Sequence, residues 1–185
     1  FLDNIIETNS LNTLSTEKKF IIALAELQLG NYEIALSFVL EYQQKFPHKV
    51  GLNLLLGDIY FGLENWFESL IHYHWAVQKS PENIHSKIGF SLSMMHRGDF
   101  QGARIVLEQL IKKEILDYRV YLSLGKIYFF ENKLELATQQ FRKALGLDPN
   151  IAEIHFNLGM AHFEYGRLSH ALGSFLRSTQ LEKEN

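Results

Sequence analysis

The stretch that decides the fold runs from Tyr118 to Ile151, YRVYLSLGKIYFFENKLELATQQFRKALGLDPNI. Its large apolar residues recur three and four positions apart in each half, which is the spacing of an amphipathic helix with one buried face. Asn132 lies between the halves, where a residue that tolerates left-handed backbone ends a helix. Pro149 stops the second half. The stretch therefore predicts two helices joined by a short turn.

The same pattern recurs every 34 residues in both directions, without insertion. Small residues occupy two of its positions in every copy, and small facing side chains are what allow two packed helices to approach closely. The copies begin at Thr16, Val50, Ile84, Tyr118 and Ala152. The eighth positions are Ala23, Gly57, Ser91, Gly125 and Gly159, and the twentieth positions are Ala35, Ser69, Ala103, Ala137 and Ala171. The repeat predicts a stack of helix pairs.

Two further positions mark where the helices end. The fifteenth position, after the first helix of each copy, favours Gly or Asn, the residues that adopt left-handed backbone most readily. All the prolines of the chain fall at the thirty-second position, after the second helix, at Pro47, Pro81 and Pro149. The fifteenth positions are Gly30, Glu64, Gly98, Asn132 and Gly166.

The seventeenth position, just past the turn, is always large and apolar, so we expect it to be buried.

This pattern resembles the tetratricopeptide repeat family, whose unit is a 34-residue helix–turn–helix, and the resemblance covers Thr16 to Asn185. It implies an all-α, right-handed superhelical α-solenoid. Glu26 departs from the family pattern by replacing an aromatic residue, and Glu64 by replacing the turn glycine. Residues 1–15 are expected to be an N-terminal extension or the remnant of a preceding helix, carrying Leu2, Ile5 and Ile6, with Ser15 or Thr16 as the cap of the first repeat. The predicted repeats are 16–49, 50–83, 84–117, 118–151 and 152–185.

Composition and motifs argue against several classes of function. A net charge of −3 and a pI near 6.3 disfavour nucleic-acid binding, which needs clustered Lys and Arg. The sequence has no run of about 18 apolar residues that would cross a membrane. His155 and His162 are seven residues apart, about 10 Å along a helix, which is too far for one metal ion. Because no catalytic or phosphate-binding motif occurs, we expect a non-enzyme that needs no cofactor and no metal.

The resemblance also implies where a partner would bind. In the family, the first helix of each repeat lines a concave groove, and most residues at the corresponding positions here are apolar, which is unusual for a solvated surface. We expect a non-catalytic scaffold or adaptor that holds an apolar or amphipathic peptide or helix of another protein. The predicted groove consists of Phe20, Leu24, Leu54, Asp58, Phe61, Ile88, Leu92, Met95, Leu122, Lys126, Phe129, Phe156, Asn157, Met160 and Phe163.

Two alternative functions follow from other features. Some family members hold a terminal carboxylate of a chaperone peptide, and Arg119, Lys126 and Asn157 are a partial counterpart of that clamp. The other alternative is a structural subunit that self-associates through its last repeat. In that repeat Leu172, Phe175 and Leu181 have no following helix in the sequence to cover them, although repeat arrays need their last apolar face covered.

Overall fold

The computed structural model describes residues 14–47, 49 and 51–184, and all regular secondary structure in these ranges is α-helix. The predicted helix remnant with Leu2, Ile5 and Ile6 lies outside the described residues. The helices, labelled α1 to α10 in chain order, are Thr16–Gln28, Tyr32–Lys45, Leu52–Gly62, Trp66–Lys79, Ile84–His96, Phe100–Lys112, Tyr118–Phe130, Leu134–Leu147, Ala152–Glu164 and Leu168–Glu184. The predicted all-α repeat fold is confirmed.

The turn inside each repeat forms at the predicted position. All five residues at the fifteenth position have positive φ, with values of 80° at Gly30, 56° at Glu64, 85° at Gly98, 58° at Asn132 and 77° at Gly166. Each second helix then begins two residues later, so the turn conformation is kept even where the residue is not glycine. A residue other than glycine adopts this backbone conformation only at a cost in free energy.

Capping residues fix other helix ends. The Ser15 side chain accepts a hydrogen bond from the backbone N–H of Lys18, so Ser15 is the cap of α1. Asp99 caps α6 in the same way, through the N–H of Gly102. These bonds satisfy donors that have no partner within the helix.

The chain divides into two compact units, one ending at Ser93 and one beginning at Met94. Each unit has its own hydrophobic core, formed where the helices of a pair pack against each other and against the next helix. The first core contains Ala23, Ala35, Val39, Tyr42, Leu52, Leu56 and Ile59. The second contains Leu122, Ala137, Phe141, Ala144, Ile154, Leu158 and Ala161.

The glycines at the eighth position make room for an aromatic ring. A Cβ added to Gly57 would lie 2.7 Å from the Tyr73 ring, and a Cβ added to Gly125 would lie 2.4 Å from the Phe141 ring. Tyr73 and Phe141 both occupy the twenty-fourth position of their repeats, on the second helix. The ring therefore fills the space that the missing Cβ leaves, which explains why the helices pack closely there.

The last helix departs from two expectations. The seventeenth position was expected to be buried, but Leu168 is 63% exposed. Leu172, at 60% exposure, agrees with the expected uncovered face, whereas Leu181 is buried at 4%. Leu181 lies near the end of α10, and its burial shows that it belongs to the packed side of that helix.

Candidate functional site

The structure brings part of the predicted groove together in one cavity of the first unit. Four predicted residues, Asp58, Phe61, Ile88 and Leu92, line a cavity of about 270 Å³. They come from α3 and α5, the first helices of two consecutive repeats. The cavity, called here the Asp58 cavity, is completed by Leu27, Tyr32, Tyr73, His85 and Gly89.

Tyr73 forms one wall of this cavity. It lies on α4, the second helix of the repeat that contains Asp58. Its ring lies between two glycines, because a Cβ on Gly57 or on Gly89 would fall within 2.7 Å of it. The side chain is 3% exposed. Burial, more than the nearby carboxylate of Asp58, raises the pKa of Tyr73 far above its usual range. The hydroxyl therefore keeps its proton and serves as a hydrogen-bond donor.

Asp58 accepts two hydrogen bonds on the same carboxylate oxygen. The Tyr73 hydroxyl donates to Oδ1 at 2.6 Å, and Nε2 of His85 lies 2.7 Å from that oxygen. Since a carboxylate only accepts, Nε2 carries the hydrogen in this contact. Tyr73 comes from α4 and His85 from α5, so the two donors hold Asp58 from both neighbouring helices.

Tyr73 and His85 were not among the predicted groove residues. His85 occupies the second position of its repeat, which the family places in the groove, so its position was a usable signal. Tyr73 lies on a second helix, where the resemblance predicts no groove residue. Only the close approach of its ring to Gly57 and Gly89 brings its hydroxyl to the cavity.

The other predicted groove residues lie in varied surroundings. Met95 and Leu122 are buried, as is Ile88 in the wall of the Asp58 cavity. Met95 and Leu122 therefore belong to the packed interior rather than to a free surface. Phe20 stacks on Tyr42 with ring centroids 4.0 Å apart.

The remaining members are on the surface or half-buried. Phe129 packs at the edge of the second core, and Leu54 lines a separate cavity with Pro47 and Asn83. Leu24, Phe156 and Phe163 are exposed, and Met160 is half-buried.

The three residues of the predicted carboxylate clamp already have partners in the chain. Nη2 of Arg119 donates to Oδ2 of Asp117 at 2.6 Å, and this hydrogen bonding lowers the pKa of Asp117. Lys126 forms an ion pair with Glu153. Nδ2 of Asn157 donates to the backbone oxygen of Glu153 at 2.8 Å. A bound carboxylate would have to compete with Asp117 and Glu153 for these donors.

The histidines do not gather into a metal site in the described part of the chain. His155 Nε2 lies 2.8 Å from the Pro149 carbonyl oxygen, and His162 is buried next to His170. Within residues 14–47, 49 and 51–184, no group of three or more His, Asp or Glu side chains could hold a metal ion. Among the described helices, none has both the length and the apolar character needed to cross a membrane.

Comparisons with known proteins agree with the repeat fold. The model of the TPR repeat matches residues 125–166. The solved structure of TTC0263, a thermophilic TPR protein from Thermus thermophilus, superposes with a TM-score of 0.82 at 17% identity and covers 92% of this chain and 93% of that one. MamA from Desulfovibrio magneticus gives a TM-score of 0.66 at 20% identity, over 92% and 96% of the two chains.

Curated relatives are much longer than this chain. Human protein O-mannosyl-transferase TMTC3 is 25% identical over 171 residues, which is 84% of this chain and 19% of that protein. The mouse protein of the same name is 25% identical over 149 residues, which is 72% of this chain and 16% of its own length. The chain thus spans less than a fifth of these relatives.

Proposed function

We propose that this chain, which belongs to the tetratricopeptide repeat family, is a non-catalytic module that binds an apolar or amphipathic segment of another protein. The family's fold is that of protein–protein interaction scaffolds, and TPR proteins are in general not catalytic. The observation that carries the finer proposal is the Asp58 cavity, which is lined mainly by apolar and aromatic side chains from α1 to α5. Concave apolar surfaces with a few fixed polar groups are typical binding sites.

The size of the cavity fits a side chain rather than a whole ligand. A volume of about 270 Å³ lies just below the usual range for small-molecule pockets, roughly 300–1,000 Å³. One leucine, methionine or phenylalanine of a helical or extended peptide would fit in such a space. The affinity would come from apolar area removed from water, at about 25 cal/mol per Å².

A displayed library of helical peptides tests this proposal. Leu92→Ala shortens a half-buried wall of the cavity, and should weaken binding of selected peptides about tenfold or more, because a buried Leu side chain contributes roughly 1.5–3 kcal/mol. Ile34→Ala is the matched control, since Ile34 is exposed on α2 and does not line the cavity. Peptides that carry no common apolar residue, or that bind both variants equally, would argue against the proposal.

A second candidate function, self-association through the last repeat, is favoured by one observation. Leu168, Leu172 and Leu176 are 60–63% exposed and follow each other at four-residue intervals on α10, so they form one apolar stripe. Sedimentation velocity at several concentrations tests it. Leu172→Glu should abolish association, whereas Ile105→Glu, a change at an isolated exposed residue of α6, should leave it intact. A wild-type chain that stays monomeric throughout would exclude this function.

A further inference from the structure

One carboxylate oxygen of Asp58, in the Asp58 cavity, accepts no hydrogen bond from the described part of the chain. Both donors to Asp58, the Tyr73 hydroxyl and Nε2 of His85, reach the same oxygen, Oδ1. Oδ2 has no hydrogen-bond or ion-pair partner in the described part of the chain. The Asp58 side chain is 27% exposed and lines the cavity, so the carboxylate is partly accessible to a ligand that enters it.

The surroundings of Asp58 determine which ligand suits it. Phe61, Ile88 and Leu92 line the same cavity and offer no donor. A partner that filled the cavity with apolar groups alone would take the carboxylate out of water without replacing the lost hydrogen bonds, which is unfavourable. An acidic partner would in addition be repelled. A cationic donor avoids both effects, since hydrogen bonds between charged groups are the strong ones.

We propose that the Asp58 cavity recognises an amphipathic helical segment in which one apolar side chain enters the cavity and a Lys or Arg three or four residues away binds Oδ2 of Asp58. This inference rests on the proposed function and adds the chemistry of the partner. Residues three or four apart lie on one face of a helix, about 5–6 Å from each other. One segment can therefore place both groups in the same cavity.

The donors to Oδ1 set the direction of the free oxygen. Tyr73 is fixed by its ring between Gly57 and Gly89, and His85 packs edge-on to that ring with centroids 6.5 Å apart. The carboxylate is thus held before the partner arrives, so little orientational freedom remains to be lost on binding. Tyr73 and His85 act as positioning residues, and Asp58 is the residue that would touch the partner.

The test is a selection from a phage-displayed library of helical peptides, run in parallel on wild type, Asp58→Asn and Glu33→Gln. Asparagine keeps the size of the side chain and an oxygen that accepts from Tyr73, and it removes the charge. Glu33 is an exposed acid on α2 that does not line the cavity, so Glu33→Gln removes the same charge without changing the cavity wall. Thermal unfolding by circular dichroism verifies that all three proteins are folded.

We expect wild type and Glu33→Gln to enrich an apolar residue followed or preceded by Lys or Arg at three or four positions. Asp58→Asn should enrich the apolar residue without the basic one. For a selected peptide, replacing its Lys with norleucine should weaken binding to wild type about tenfold, as expected for a charged hydrogen bond, and leave binding to Asp58→Asn unchanged. The difference should shrink in 1 M salt, where the Debye length falls to about 3 Å.

The outcomes separate this inference from the proposed function. Enrichment of apolar peptides with no basic residue, or with an acidic one, would overturn the role of Asp58 and leave the apolar binding function standing. Failure of wild type to enrich any apolar peptide would overturn both. Equal enrichment of basic residues by Asp58→Asn would mean that another group attracts them, and would also overturn the inference.

Discussion

A single methyl group at Gly125 should destabilise the second unit, and the structure gives the reason. A Cβ at this position would lie 2.4 Å from Cε1 and 2.5 Å from Cδ1 of Phe141, at least 1 Å inside the usual carbon–carbon contact of about 3.5–4.0 Å. The Phe141 ring cannot move away, since it is completely buried. Relieving the contact requires the two helices α7 and α8 to separate or the ring to leave its rotamer.

The net effect can be set against a matched substitution in the same repeat. Overpacking costs about 1–3 kcal/mol, with a rigid buried ring at the upper end, and Ala in place of Gly returns roughly 0.5–1 kcal/mol in a helix. Gly125→Ala should therefore lose about 2 kcal/mol. Gly146→Ala on α8 meets nothing within 4 Å, so it should gain roughly 0.5–1 kcal/mol.

Thermal unfolding followed by circular dichroism measures both variants. A change of 1 kcal/mol shifts Tm by about 2–4 °C in a chain of this size, so Gly125→Ala should melt about 4–8 °C below wild type. Gly146→Ala should melt a few degrees above it. Hydrogen exchange should place the loss of protection of Gly125→Ala in α7 and α8. If Gly125→Ala were as stable as Gly146→Ala, the packing of the ring on the glycine, and with it the register of the repeat, would be refuted.

Three further substitutions test other parts of the account. Glu64→Gly should stabilise the first unit by about 1 kcal/mol. Glu64 has φ 56°, and residues other than glycine are disfavoured in that region by roughly 1–2 kcal/mol. An unchanged Tm would contradict this. Tyr73→Phe should lose about 0.5–1.5 kcal/mol for the hydrogen bond to Asp58 and keep the ring packing; a loss as large as that of Tyr73→Ala would show that the hydroxyl is not separable from the ring. Leu168→Ala should lower the free energy of unfolding by less than about 1 kcal/mol, since the side chain is exposed. Phe141→Ala in the core should lower it by roughly 3–5 kcal/mol. Equal losses would mean that Leu168 is covered.

The fold was predictable because each repeat carries the same local signals. Periodic apolar residues, small residues at the eighth and twentieth positions and a turn residue at the fifteenth act within one unit of 34 residues. The turn even imposes positive φ on Glu64, where the residue itself argues against it. Five copies of a signal outweigh a local exception, so the helix pattern survived the departures at Glu26 and Glu64.

The candidate site was predictable only in part, since it depends on contacts between repeats. Position in the repeat identified Asp58, Phe61 and Leu92, which line the cavity. It could not distinguish Leu122, which is buried, from Phe156, which is exposed, although both occupy the fifth position. Burial there depends on which neighbouring side chains reach the residue, and that information is not local to the repeat.

Under the proposed recognition, the carboxylate of Asp58 would also determine where along the chain a partner binds. At the ninth position the sequence has Asp58 in the second repeat, but Leu24, Leu92, Lys126 and Met160 in the others. At the twenty-fourth position a hydroxyl occurs in Tyr73, whereas Phe141 and Phe175 have the ring alone. The ring recurs in several repeats because it fills the space beside the glycine. This packing does not explain the hydroxyl of Tyr73. Tyr73→Phe therefore separates the packing of the ring from the hydrogen bond that the hydroxyl donates to Asp58. Since neither the acid nor the hydroxyl is repeated at these positions, the proposed segment with one basic residue would have a single register in which its charge meets Asp58.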